Sequence, residues 1–130
     1  MATVGYLEGT DAIVLSRLSA RGVGMLPLSN GFDNHGQFIG SVTERDEIDL
    51  IVGPLHKVMR TQRQGFYPQD LLESCTTCQI PIWIIVPSQD HATARKALGK
   101  ASEMATLVDP AHLFDEAMAF LSKLGVKDNF

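Results

Sequence analysis

Apolar residues change their spacing at regular intervals along this chain. The run TVGYL at 3–7 has the β-branched and aromatic content of a strand. After EGT, residues Ile13, Val14, Arg17 and Leu18 recur at helical spacing within DAIVLSRLSARG. Thr10 is placed to cap that helix and Gly22 to stop it. VGMLPL at 23–28 predicts a second strand. Pro27 would cost it a ladder hydrogen bond, so an edge position is expected. QFIGSVTERD, from residue 37, predicts a short helix, and IDLIV at 48–52 a third strand. Residues 53–67, with Gly53, Pro54 and Gly65, predict an irregular connection.

The second half repeats the alternation. PQDLLESCTTCQ predicts a helix with Pro68 near its first turn. IPIWIIVP is apolar throughout, as a strand covered on both faces is. Ser88 is placed to cap a helix over QDHATARKALGKA, and MATLVD predicts a fifth strand. Asp109 and Pro110 open a last helix with Leu113, Phe114, Ala117, Met118, Leu121 and Leu124 on one stripe, and Gly125 is expected to end it. Strands alternating with helices imply right-handed crossovers and a parallel sheet. The expectation is one α/β domain over residues 1–130. It is three-layered, with a five-stranded, mostly parallel, flavodoxin- or Rossmann-like sheet in the order 2-1-3-4-5.

Composition narrows the function classes. Of 130 residues 45% are hydrophobic and 20% charged, enough for a folded core. The formal charge of −4 argues against nucleic-acid binding, which rests on neutralising phosphates. No basic n-region precedes an apolar stretch at the start, and no apolar run approaches the roughly 20 residues of a membrane span. Cys75 and Cys78 lie late in one helix, where they suit a packed core better than a redox pair or half of a zinc site. A cytoplasmic location follows as the expectation, with no cofactor or metal implied.

Open parallel sheets bind ligands beyond the carboxyl ends of their strands, at the switch in strand order. Most unusual residues of this chain fall in those connections: Glu8, Gly9, Thr10 and Asp11 after the first strand, and SNGFDNHGQFIG at 29–40 after the second. In the latter, Gly31, Gly36 and Gly40 permit close backbone approach, Asn30 and Gln37 offer amides, and Asp33 and His35 can move protons. The same letters also describe an ordinary Asn-Gly turn with a capped helix behind it. Beyond the third strand, His56, Lys57, Arg60 and Arg63 crowd into HKVMRTQR, a cationic run at the crevice mouth that would attract phosphate or carboxylate. Phe66 and Tyr67 follow. No GxGxxG follows the first strand, and no P-loop or GxSxG elbow is present. The acids and lysine of a receiver domain are missing too.

The stretch SNGFDNHGQFIGSVTERDEIDLIVGPL resembles the central part of methylglyoxal synthase-like domains, and QIPIWII extends the likeness over about residues 28–86. Ser29, Gly31, Gln37, Ile39, Gly40, Ile48, Asp49, Pro54 and Leu55 carry it. Where that family has its two acids this chain has Gly36 and Gly53, and the nearest acid to the first is Asp33. The resemblance implies either lyase chemistry or one of the family's non-catalytic, ligand-binding regulatory domains. The expectation is therefore a regulatory module binding a small anionic metabolite, through Gly9, Thr10, Asn30, Gly31, Gly36, Gln37, His56, Lys57 and Arg60. The alternatives are a lyase or isomerase with Asp33 and His35 as catalysts, or an interaction subunit. Self-association or membership of a protein complex is expected as well.

Overall fold

In the computed structural model of the protein, residues 2–59 and 67–128 are described, the side chains of the second stretch as far as 124. Arg60, Arg63 and Phe66 lie outside the described residues. The elements are β1 (Thr3–Leu7), α1 (Ala12–Ala20), β2 (Gly24–Ser29), β3 (Gln37–Phe38), β4 (Leu50–Pro54), α2 (Leu55–Met59), α3 (Pro68–Thr77), β5 (Ile82–Ile85), α4 (His91–Leu98), β6 (Thr106–Val108) and α5 (Leu113–Asp128).

All six strands are parallel, in the order β3-β2-β1-β4-β5-β6. The five expected strands occupy the expected order. The sixth corrects the expectation: Gln37 and Phe38 pair with Leu28 and Ser29, and two 3-10 turns, Ile39–Ser41 and Glu44–Asp46, replace the expected short helix. Pro27 is therefore not on the outermost strand. It pairs with Tyr6 on the inner side, and β3 reaches only as far as Leu28, so its missing N–H has no ladder partner to lose. A second correction is α2, which winds directly off the end of β4 where an irregular connection was expected. A third is α5, which runs through Gly125 to Asp128.

The sheet is covered on both faces, which is why β4 carries no polar side chain. Leu28, Ile51, Leu72, Ile84 and Leu98 belong to one apolar layer, beneath α2, α3 and α4. Val4, Leu18, Leu50, Val52 and Leu121 belong to the other, beneath α1 and α5. Gly53 sits where β4 passes β1, and a side chain there would run into Leu7. Cys75 is wholly buried in the first layer, and its surroundings, with Cys78 beside it, push its thiol up to about 12. A thiol so protonated is a poor nucleophile or ligand. Among the described residues no helix is long and apolar enough to cross a membrane.

Candidate functional site

The strand order reverses between β1 and β4, so the connections after these strands frame the crevice. Gly9 has a positive φ of 92°, and a Cβ built there would lie 3.3 Å from the Pro54 ring and 3.5 Å from His56 Cε1. The two connections thus meet at Gly9, and His56 stands exposed beside it. Thr10 is turned inward: its hydroxyl donates to the Leu7 carbonyl at 2.7 Å. Asp11 caps α1 in its place by accepting from the Ile13 amide at 2.8 Å.

The connection after β2 is organised by its own short polar side chains. The Gly31 amide donates to Ser29 Oγ at 3.0 Å, the Phe32 amide to Asn30 Oδ1 at 2.9 Å, and the His35 amide to Asp33 Oδ1 at 3.1 Å. Three backbone amides are therefore committed within the loop and are not free to hold an anion. Gly36 ends it at a φ of 127°, against the Pro27 carbonyl, leaving no room for a Cβ. Gln37 points away from the crevice, toward Asp46 Oδ2 at 3.2 Å.

Lys57 joins these connections. It lies on the first turn beyond β4, and its side chain is only 6% exposed. Its ammonium donates to Glu8 Oε1 at 2.8 Å and to Asp33 Oδ2 at 3.2 Å. The Asn30 amide donates to the Lys57 carbonyl at 2.9 Å, so the backbone of the lysine is tied to the same loop that supplies Asp33. The sequence reading put Lys57 in a cationic run facing the mouth. Its charge is instead drawn inside and shared between two carboxylates from two different strand ends.

The pairing sets the protonation states. The Glu8 hydrogen bond raises the Lys57 pKa, burial opposes it, and Asp33 adds to the rise. The amine therefore stays charged at neutral pH and is no nucleophile. For Asp33, burial alone would raise the carboxyl, but Ser29, Lys57 and the His35 amide together hold it below its ordinary value of 3.8. The Ser29 hydroxyl has one proton, and that proton is directed at the Asp33 carbonyl at 2.8 Å, so Lys57 and the amide are the main stabilisers of the carboxylate. The cluster of Glu8, Lys57 and Asp33 carries one net negative charge. Its partners differ in access: the Glu8 side chain is 51% exposed and that of Asp33 11%.

His35 is half-buried on the same loop, its ring edge-on to Tyr6 with centroids 5.2 Å apart. Its Nδ1 lies 3.1 Å from the Leu28 carbonyl. A carbonyl only accepts, so this bond puts a proton on Nδ1. In the neutral ring Nε2 then keeps its lone pair for a partner outside the loop.

Among the expected residues, Asp33 and Lys57 are thus in direct contact. Asn30 ties them together from behind, and Gly9 and His56 border the crevice. Thr10 and Gln37 bond elsewhere. Glu8 was passed over as a ligand-contacting residue, although it lies in a connection the strand-end rule marks. Its partner is 49 positions along the chain, and no local spacing announces such a pair. No protein-family model matches this chain, and no curated protein is similar enough to count as its relative.

Proposed function

We propose that this domain is a binding module for a small carboxylate- or phosphate-bearing metabolite, held at the crevice between the carboxyl ends of β1, β2 and β4. The observation that carries this reading is the buried Lys57 ammonium, with one sheltered partner, Asp33, and one exposed partner, Glu8. A buried cation needs a counter-charge at all times. Asp33 is fixed by its loop, whereas Glu8 is half in water and is bound by a pair that costs little to open. An incoming anion can take the place of Glu8 on Lys57 without stranding any charge. Glu8 then acts as the resident stand-in for the ligand.

Calorimetric titration with acetate and with inorganic phosphate tests this exchange on the wild type, Glu8→Gln and Lys57→Met, with melting curves recorded alongside. Glu8→Gln removes the competitor. It is expected to tighten anion binding by up to about fivefold, the equivalent of about 1 kcal/mol. Lys57→Met is expected to abolish it. Equal affinity in all three proteins would sink the proposal.

A second reading, lyase or isomerase chemistry on such a metabolite, is favoured by one further observation. An ionised Asp33 and the open Nε2 of His35 share a single loop, and proton transfer needs such acceptors. The methylglyoxal synthase-like resemblance belongs with this reading.

A further inference from the structure

Two of the exposed large apolar side chains among the described residues share one cleft. The exposed set is Ile13, Phe32, Phe38 and Tyr67. Phe32 follows the Asn30–Gly31 turn, Phe38 is in β3, and Tyr67 precedes α3. Phe32 and Phe38, with Leu71 of α3 behind them, line a cleft of ≈ 420 Å³. That lies within the roughly 300–1,000 Å³ typical of small-molecule sites.

The cleft is shaped by backbone. A Cβ on Gly31 would come within 3.1 Å of the Phe38 ring, and one on Gly40 would overlap it. Glycine at both positions lets the ring lie against the main chain, with 46% of the residue still open to solvent. The only charge on the described lining is the Asp70 carboxylate, which also accepts from the Tyr67 amide at 3.1 Å. An anionic group is repelled there, whereas a neutral planar group gains aromatic and aliphatic contact. The other side of the same loop holds the anion-accepting lysine: Asn30 lines the cleft and its amide holds the Lys57 carbonyl.

We propose that this cleft is the subsite for an aromatic ring, and that the ligand of the domain is an aromatic acid. The ring stands between Phe32 and Phe38, and the acid group points away from Asp70 toward Lys57. The acid half of this statement rests on the exchange proposed above; the ring half rests on the cleft alone.

The test is a set of probes followed by titration calorimetry and by chemical-shift changes of the Phe32 and Phe38 rings. Benzoate, phenylacetate, 3-phenylpropionate and phenyl phosphate are compared with acetate, propionate, inorganic phosphate and neutral benzyl alcohol. The spacer series lets the protein choose the distance between ring and acid. At least one aromatic acid is expected to bind about tenfold or more tightly than the aliphatic acids, with shifts at both rings. Phe38→Ala, or Phe32→Ser should Phe38→Ala fold poorly, is expected to erase that advantage while leaving acetate binding unchanged. Aromatic and aliphatic acids binding alike would overturn the ring subsite and leave the anion exchange standing. Benzyl alcohol binding as well as the acids, with shifts at both rings, would support the ring subsite and overturn the exchange. No ring shifts with any aromatic probe would overturn the subsite.

Discussion

At the scale of single residues, charge placement matters more than charge number. Four basic residues crowd into HKVMRTQR, yet the charge of Lys57 is neutralised within the crevice by Glu8 and Asp33. The protonation of this cluster makes its contribution to folding pH-dependent. Asp33 is held below 3.8, so its stabilisation is present above the unfolded-state value and is lost as pH falls through the lower folded one. Lys57 is raised above 10.5, so its stabilisation is complete below that value and is lost as pH rises through the higher folded one. Between the two the contribution is flat. Asp33→Asn is therefore expected to cost about 1–3 kcal/mol at neutral pH. In urea melts across pH the cost should hold constant from about pH 5 to about pH 9, then shrink as pH falls from 3.8 through the lower folded value, below which the native carboxylate is protonated too. A cost that persists undiminished well below 3.8 would mean the ion pair is not its source.

At the scale of elements, the loop from Ser29 to Gly36 is built by local hydrogen bonds, and its exit is built by a steric limit. Gly36 combines a φ of 127° with contact against the Pro27 carbonyl. Any side chain there strains the backbone and pushes β3 off β2. Gly36→Ala is expected to destabilise the protein by about 1–3 kcal/mol. It should also speed amide exchange in β3 and in the following turn, while the β1–β4 ladder stays protected. Unaltered exchange at β3 would show that the strand is not anchored through this residue. The sequence made most elements readable, because period-2 and period-3.6 runs are local. It misread 37–46 as a helix. There, two residues of pairing with β2 and the capping of a 3-10 turn by Thr43 and Asp46 outweigh helix propensity. It also missed α2, five residues long, which continues directly from β4 and is held by tertiary packing.

At the scale of the whole molecule, the two apolar layers share one sheet, and neither is stable without it. Trp83, the single tryptophan, reports from β5 on the layer it shares with Phe120, whose ring lies edge-on 5.6 Å away. Helix content reports from both layers. Urea unfolding followed by tryptophan fluorescence and by far-ultraviolet circular dichroism should give coincident transitions. Separated midpoints would show that the two layers unfold independently.

The sequence by itself determined the class of fold and the order of the five expected strands, and it supplied the strand-end rule on which the proposed site rests. The class and the order follow from hydrophobic period and crossover handedness, and like the strand-end rule these act locally or generically. Only the tertiary structure decided what the crevice contains. Glu8, Asp33 and Lys57 come from three separate connections, and their contact depends on the lateral pairing of β2, β1 and β4. The aromatic cleft depends in the same way on β3 lying where a helix was expected. The physical reason is range: dihedral preference and amphipathic spacing are written over a few residues, whereas burial of a charge is fixed by whatever the folded chain brings alongside it.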